Sequence, residues 1–303
     1  MVNITHKNPT YRIALAQAVV KVGSPETITA IVEKKVPKGD VLEMAKVAGL
    51  FAAKKTSDVI PDCHPMPIEA TSITYEITPV EIKISVEVQT IYKTGVEVEA
   101  MYAASVVALT IYDMLKPIDK NIVIEQVKLI NKQGGKSDWA KKEVSGIKAS
   151  VIVCSDSISK GTKEDRAGKA IIQKLEQFKV TVVDYVIIPD EKKDIQEMVS
   201  SYCNQGLQLV ILTGGTGLSP RDVTPEALDP LIQKRIPGIE EAIRSYGQTR
   251  TPYAMLSRSV VGLIGQTLVL GLPGSTRGAS ESIDAVFPQI LHIFRVMKGA
   301  NHD

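Results

Sequence analysis

Cysteine is scarce in this 303-residue chain: Cys63, Cys154 and Cys203 are odd in number and far apart. That excludes a disulfide-stapled scaffold and leads us to expect a reducing, cytoplasmic setting. Charge of one sign is lacking too, the net charge being +2, so no nucleic-acid partner is expected and any nucleotide must be held by a local site. Met1 to Lys7 contain no apolar signal core and no run reads as a membrane helix, so no membrane association is expected. Cys63-His64 has no second Cys/His pair, which argues against zinc. What is present is ordinary globular composition, 44% apolar and 23% charged, in a chain long enough for two domains.

The densest chemistry lies in Thr213-Gly214-Gly215-Thr216-Gly217 and the following Arg221-Asp222-Val223-Thr224-Pro225-Glu226. An apolar strand-like run, Leu207 to Leu212, enters this turn, and ligands of α/β sheets bind at such strand ends. Glycines let backbone N–H groups surround an anion, and the threonine hydroxyls add donors, so a phosphate seat is expected. Asp222 beside it is a candidate magnesium ligand, because magnesium takes carboxylate and phosphate oxygens. No Gly-Lys-Ser/Thr follows, so this is not a Walker A loop.

Through the first half, Arg12 to Val22 reads as a strand. Ser24-Pro25-Glu26 then starts a helix over Thr27 to Lys35, with Ser24 as its cap. Asp40 to Lys55 has helical spacing, and Ile68 to Tyr75 and Glu81 to Tyr92 alternate as two antiparallel strands. Glu99 to Leu115 is apolar almost all round, as in a helix buried on several sides. A strand, Ile122 to Ile130, completes an α+β arrangement: an antiparallel, ferredoxin-like sheet with helices. Asp113 and Lys116 share a helix face. Taken alone they read as a surface ion pair near a helix end rather than as a buried site.

Lys38-Gly39-Asp40-Val41, Ala48-Gly49, Cys63-His64-Pro65, Thr94-Gly95-Val96-Glu97, Asp113, Lys116 and Gly134-Gly135-Lys136-Ser137 together resemble the cyclic pyranopterin monophosphate synthase (MoaC) family. The resemblance implies a molybdenum cofactor enzyme that rearranges a cyclic GTP-derived intermediate and releases pyrophosphate. It also implies a hexamer with sites between subunits. By the same resemblance Asp113 is the catalytic acid/base, Lys38 and Lys116 are essential cations, and Arg12, Asp62, Cys63, His64, Glu97, Val98 and Glu99 bind substrate. Asp62 and Val98 depart from the family's leucine and methionine. An Asp–Lys pair in a pocket is expected to tune both groups for proton transfer.

A polar stretch, Gly134 to Ile147, separates the halves, and the boundary is placed at residue 140: domains 1–140 and 141–303. Beyond it, strands Ala149 to Cys154, Val180 to Ile188 and Leu207 to Leu212 alternate with helices Glu164 to Phe178 and Lys193 to Cys203. That is the pattern of a three-layer α/β domain with a mostly parallel sheet. Helices around Glu226 to Gln233 and Gly238 to Tyr246, strands Val260 to Ile264 and Thr267 to Leu270, and a final helix Ile283 to Met297 complete it. The wound-sheet rule brings Ser155-Asp156-Ser157, Pro189-Asp190-Glu191, the glycine turn and Pro273-Gly274-Ser275 to one edge.

These segments, with Leu256-Ser257-Arg258 and Leu272-Pro273-Gly274, resemble the molybdopterin adenylyltransferase (MogA/MoaB) family. The resemblance implies Mg2+ and ATP as co-substrate and adenylylation of molybdopterin. It makes Asp190 and Asp222 the essential carboxylates, with Ser157, Thr213 to Gly217 and Pro273 to Ser275 binding substrate. A trimer is implied for this half. The expectation is a bifunctional cofactor-synthesis enzyme and a homo-oligomer. The competing expectation keeps the first activity and makes the second half a pterin-binding or scaffolding module.

Overall fold

The computed structural model describes residues 1–135 and 146–299. Lys136-Ser137, Lys141-Lys142-Glu143 and the expected boundary at residue 140 lie outside the described residues. The chain divides into two compact units, Met1–Ala140 and Lys141–Asp303.

The first unit runs β1 (Thr10–Lys21), α1 (Pro25–Val32), α2 (Val41–Lys54), α3 (Thr56–Val59), β2 (Ala70–Ile77), β3 (Glu81–Tyr92), α4 (Glu97–Leu115) and β4 (Val123–Gln133). Its four strands are antiparallel in the order β2-β3-β1-β4, the ferredoxin-like order expected. The alternation decides which face is covered. Ala14, Ala16, Ala18 and Val20 of β1 stand opposite Val88, Val86, Ile84 and Ile82 of β3. All eight are fully buried under the helices, and the small alanines let α4 lie close to the sheet. α2 packs on α4 through Gly49, where a Cβ would come within 2.4 Å of a Val107 methyl.

Three local expectations are corrected. α1 stops at Val32, because Lys34 adopts a left-handed backbone with φ 57 that ends the helix before Lys35. Ser24 occupies the cap position without a capping bond, its hydroxyl bonding to the Glu26 carboxylate instead. α4 is buried on several sides as expected, with Leu109, Tyr112 and Val98 exposed. By length and composition α4 would pass for a membrane span, contrary to expectation. Its Ala100, Ala103, Ala104, Val107, Ala108 and Ile111 nevertheless form the core.

The second unit runs β5 (Lys148–Cys154), α5 (Asp156–Ser159), α6 (Ala167–Gln177), β6 (Thr181–Ile188), α7 (Lys192–Asn204), β7 (Leu209–Thr213), α8 (Thr224–Leu228), β8 (Lys234–Arg235) and α9 (Pro237–Gln248). A 3-10 turn Pro252–Leu256 follows, then β9 (Val260–Ile264), β10 (Thr267–Leu272), α10 (Thr276–Val286), a second 3-10 turn Gln289–His292 and α11 (Ile293–Val296). The sheet order is β6-β5-β7-β10-β9-β8. The first four strands are parallel, and β9 pairs antiparallel with both β10 and β8. One core cluster takes Ile171, Ile243 and Ile283 from α6, α9 and α10, the other Ile195, Val199 and Leu228 from α7 and α8. The two clusters put helices on both faces, making three layers.

The expected final helix, Ile283 to Met297, is instead the end of α10, a 3-10 turn and α11, broken at Pro288, which has no N–H to donate into a helix. The helix expected to reach Gln233 stops at Leu228, and Lys234–Arg235 pairs with β9 as an edge strand. Two residues are too short for an alternation signal to reveal.

Candidate functional sites

In the first unit the expected residues form two groups. At the carboxyl end of α4, Lys116 Nζ lies 2.7 Å from Asp113 Oδ1. Lys38, from the loop before α2, places its Nζ 2.7 Å from Asp113 Oδ2 and 2.8 Å from the Asp113 carbonyl oxygen. These bonds, Lys116 first, hold the Asp113 carboxyl down at about 2. Asp113 in turn raises the Lys116 ammonium. The pair is therefore driven apart rather than toward neutrality, and the three side chains are 37% to 52% exposed in the single chain. The expectation of a pocketed, mutually tuned pair is corrected: at neutral pH Asp113 is a carboxylate and Lys116 an ammonium.

At the amino end of α4 the second group gathers around Glu99, which is 2% exposed. The Cys63 thiol donates to Glu99 Oε1 at 3.0 Å, while Glu99 Oε2 is buried with no partner. Burial raises the Glu99 carboxyl, and the Cys63 bond opposes that in part. Burial, and then Glu99, push the Cys63 thiol up to about 12, so it is a thiol and not a nucleophile. His64 Nε2 sits 2.8 Å from the Val2 carbonyl oxygen. Asp62 pairs with the Met1 amino group at 2.6 Å, which answers the charge introduced there. Glu97 pairs with Lys132 at 2.9 Å; both line a small cavity with Arg12 and Gly95. Val98 is exposed on α4.

A helix rises 1.5 Å per residue, so Glu97 and Asp113 are roughly 24 Å apart. The expected single pocket of Asp113, Lys38 and Lys116 with His64 and Glu97 is thus not formed within one chain. Sequence spacing located each half and could not show that they face apart.

In the second unit the four strand ends do converge. Ser155 N–H donates to the Ile188 carbonyl at 2.9 Å and Gly214 N–H to that of Leu272 at 3.1 Å. The turn needs its glycines. Gly214 has φ +108, and a Cβ there would meet the Cys154 carbonyl oxygen at 2.1 Å; at Gly215, φ +62, it would meet Thr224 Oγ1 at 2.5 Å and Asp190 Oδ1 at 3.1 Å. Asp222 flanks the other side, its Oδ2 lying 2.9 Å from the Cβ position of Gly217 and accepting from Ser219 N–H at 2.8 Å. Asp190 Oδ1 is buried without a partner. Burial, with Asp156 and Asp222 nearby, raises its carboxyl.

The threonines do not serve as expected. Thr213 Oγ1 donates to the Pro273 carbonyl at 2.8 Å and Thr224 Oγ1 to that of Gly214 at 2.8 Å. Both hydroxyls brace the turn instead of facing a ligand. Thr216 is buried. Ser157 Oγ pairs with Ser155 Oγ at 3.2 Å, and Ser275 caps α10 by accepting from Gly278 N–H at 3.1 Å. Pro273 and Ser275 also line a cavity of about 400 Å3, with Arg244, Tyr253, Ser257 and Arg277.

Sequence reasoning left Arg258 out of the candidate site. Its Nε donates to the Gly217 carbonyl and its Nη2 to that of Asp222, both at 2.8 Å, and it pairs with Glu226. A partner 41 residues away leaves no periodic trace, although Leu256-Ser257-Arg258 had stood out as a motif.

Fold and sites define a two-domain protein: a ferredoxin-like unit with a Lys–Asp–Lys cluster, followed by a wound α/β unit with two aspartates at a glycine turn. The MoaC family profile matches residues 1–135, and the profile described as probable molybdopterin binding domain matches residues 150–292. The molybdenum cofactor biosynthesis bifunctional protein of Chlorobaculum tepidum is 41% identical over 302 residues, covering 100% of this chain and 96% of the relative. That of Synechococcus elongatus is 36% identical over 317 residues, covering 100% and 98%. Cyclic pyranopterin monophosphate synthase of Nitratidesulfovibrio vulgaris is 47% identical over 145 residues, 47% of this chain and 89% of the relative. The chain belongs to the family of molybdenum cofactor biosynthesis bifunctional proteins.

Proposed function

We propose that each unit performs one step of molybdenum cofactor synthesis. The first converts a cyclic GTP-derived intermediate to cyclic pyranopterin monophosphate and releases pyrophosphate. The observation carrying this is Asp113 held between Lys38 and Lys116, three charges whose sum is one positive charge toward a triphosphate. The acid/base role that family likeness gives Asp113 requires the substrate's phosphates to draw Lys38 and Lys116 off its carboxylate, which raises it toward proton acceptance. Arg12, His64, Glu97 and Glu99 bind the ring and sugar from a second copy, because one chain separates the two groups. The protein acts as a homo-oligomer, a hexamer by family likeness.

The second unit adenylylates molybdopterin with Mg-ATP. The observation carrying this is Asp190 Oδ1, a buried oxygen without a partner beside the glycine turn. Such an oxygen suits a hard cation, and Asp190 and Asp222 would hold Mg2+, which supplies charge neutralisation to the phosphates. Among the described residues no group of three or more His, Cys, Asp or Glu side chains is arranged to hold a metal ion. The chain's part is positional. The turn's backbone orients the phosphates, Arg258 fixes the turn, and the cavity at Pro273 and Ser275 receives the pterin. The molybdopterin phosphate oxygen then bonds to the ATP α-phosphorus as pyrophosphate leaves.

Purified protein given molybdopterin, ATP and Mg2+ should yield adenylylated product and pyrophosphate, and Asp222→Asn should not. Wild type that retains pterin without product would reduce this unit to a binding module. In the other unit, Asp113→Asn or Lys116→Ala should abolish conversion of the cyclic GTP intermediate, and full activity in either would remove that assignment.

A further inference from the structure

Asp156 heads α5, directly after β5, and Asp190 follows the neighbouring parallel strand β6. Each bonds the other's backbone: Asp156 N–H donates to Asp190 Oδ2 at 3.0 Å and Asp190 N–H to Asp156 Oδ1 at 3.3 Å. The Arg221 guanidinium forks onto Asp156, Nε to Oδ2 and Nη2 to Oδ1, both at 3.0 Å, and its Nη2 reaches Glu191 at 2.8 Å. We infer that Asp156, held by Arg221, is a positioning residue that aims the free Oδ1 of Asp190 at the glycine turn. This rests on the adenylyltransferase reading only in so far as Asp190 serves that reaction.

The physical argument is one of oxygens and charges. With Oδ2 of Asp190 tied to the Asp156 backbone, only Oδ1 is left, and it lies 3.1 Å from where a Gly215 Cβ would be. The Asp156 carboxylate in turn pins the Asp190 backbone through its N–H, so losing that side chain frees the strand end that carries the Asp190 carboxylate. Asp156, Asp190, Glu191 and Asp222 would repel one another if bare, and Arg221 is the cation that lets them stand together. Arg221 also precedes Asp222 in the chain, so one fork fixes the turn carrying the second aspartate to the strand end carrying the first. The charged or titratable groups facing Asp190 are Asp156, Asp222, Arg221 and the Cys154 thiol.

The test uses full-length protein with Asp156→Asn, which keeps an acceptor for Asp190 N–H but loses the charge, and Asp156→Ala, which loses both. The position of the Asp190 side chain is read from crystal structures of both variants: Asp156→Ala should let Asp190 Oδ1 leave the Gly215 turn, and Asp156→Asn should keep it in place. With molybdopterin and Mg-ATP, Asp156→Ala should lose roughly 10–100-fold in kcat, typical of an outer-shell partner, with KM near wild type and partial recovery in Asp156→Asn. An unmoved Asp190 side chain, or a wild-type kcat, in Asp156→Ala overturns the inference. If wild-type protein makes no adenylylated product, the adenylyltransferase reading alone fails and the side-chain position still decides the role of Asp156.

Discussion

In the wound unit, the ends of β5, β6, β7 and β10 bring Asp156, Asp190, Gly214 and Pro273 to one edge of one sheet. In the ferredoxin-like unit, a single helix carries Glu97 and Glu99 at one end and Asp113 at the other, roughly 24 Å away. The cause is topological. Parallel strands joined by crossover helices end on the same side, so every strand contributes a loop to one crevice. An antiparallel sheet covered by a long helix sends its loops to both ends and offers two half-sites. On the proposed reading one unit completes its site alone, whereas the other takes its second half from another copy; Leu109 and Tyr112 on α4 are exposed.

Mixing inactive variants tests that contrast most severely. Asp113→Asn and Glu99→Gln each remove one half of the first site, so neither should convert the cyclic GTP intermediate alone. Co-refolded or co-expressed in equal amounts, they should recover roughly a quarter of wild-type turnover, because random assortment gives that share of sites two intact halves. Asp190→Asn mixed with Asp222→Asn should recover nothing in adenylylation, as both carboxylates serve one turn in one chain. No recovery in the first mixture would mean that the two ends of α4 do not join into one site. Recovery in the second would mean that the wound unit also shares its site.

A smaller effect separates the units within one molecule. Gly214→Ala must hold a Cβ at φ +108, 2.1 Å from the Cys154 carbonyl oxygen. The backbone conformation alone costs about 1–3 kcal/mol, and relief of the clash moves the turn away from Asp190. Adenylylation should fall and the denaturant midpoint of the second unit should drop. Conversion of the cyclic GTP intermediate by the same preparation should stay at the wild-type level. A variant with unchanged adenylylation would show that the turn's shape is not what the nucleotide reads.

Much of this was legible in the residues. The alternation over Glu81–Tyr92 marked β3 to the residue, and the Gly-Gly-Thr-Gly turn announced a strand end because few other uses require that run. What escaped depends on contacts distant in sequence or on fine balance. Arg258 reaches the turn from 41 residues away. Thr213 looks like a ligand donor until Pro273 is seen to accept from it. Asp113 and Lys116 at i and i+3 promised an ion pair, correctly, but spacing is silent on the helix's other end and on exposure. Pro288 could have warned that the last helix breaks, since its missing donor disfavours a helix interior.

The finest distinction lies along α4 itself, where two carboxylates titrate in opposite senses. Asp113 is held down to about 2 by its lysines, so its contribution to stability is present above the ordinary aspartate range and lost only as pH falls through about 2. Glu99 is raised by burial. Between its ordinary value of 4.5 and that raised value the folded chain keeps a proton the unfolded chain has given up, so stability is full below the window and declines as pH rises through it. Glu99→Gln cannot ionise and should lose this decline. The buried amide lacks an acceptor where Oε2 stood, a pH-independent cost of about 1–3 kcal/mol. The slopes of urea midpoint against pH, and not the midpoints themselves, therefore carry the answer. Parallel slopes for wild type and variant would mean that Glu99 is ionised in the fold and that water or a second copy, and not the Cys63 thiol alone, meets its charge.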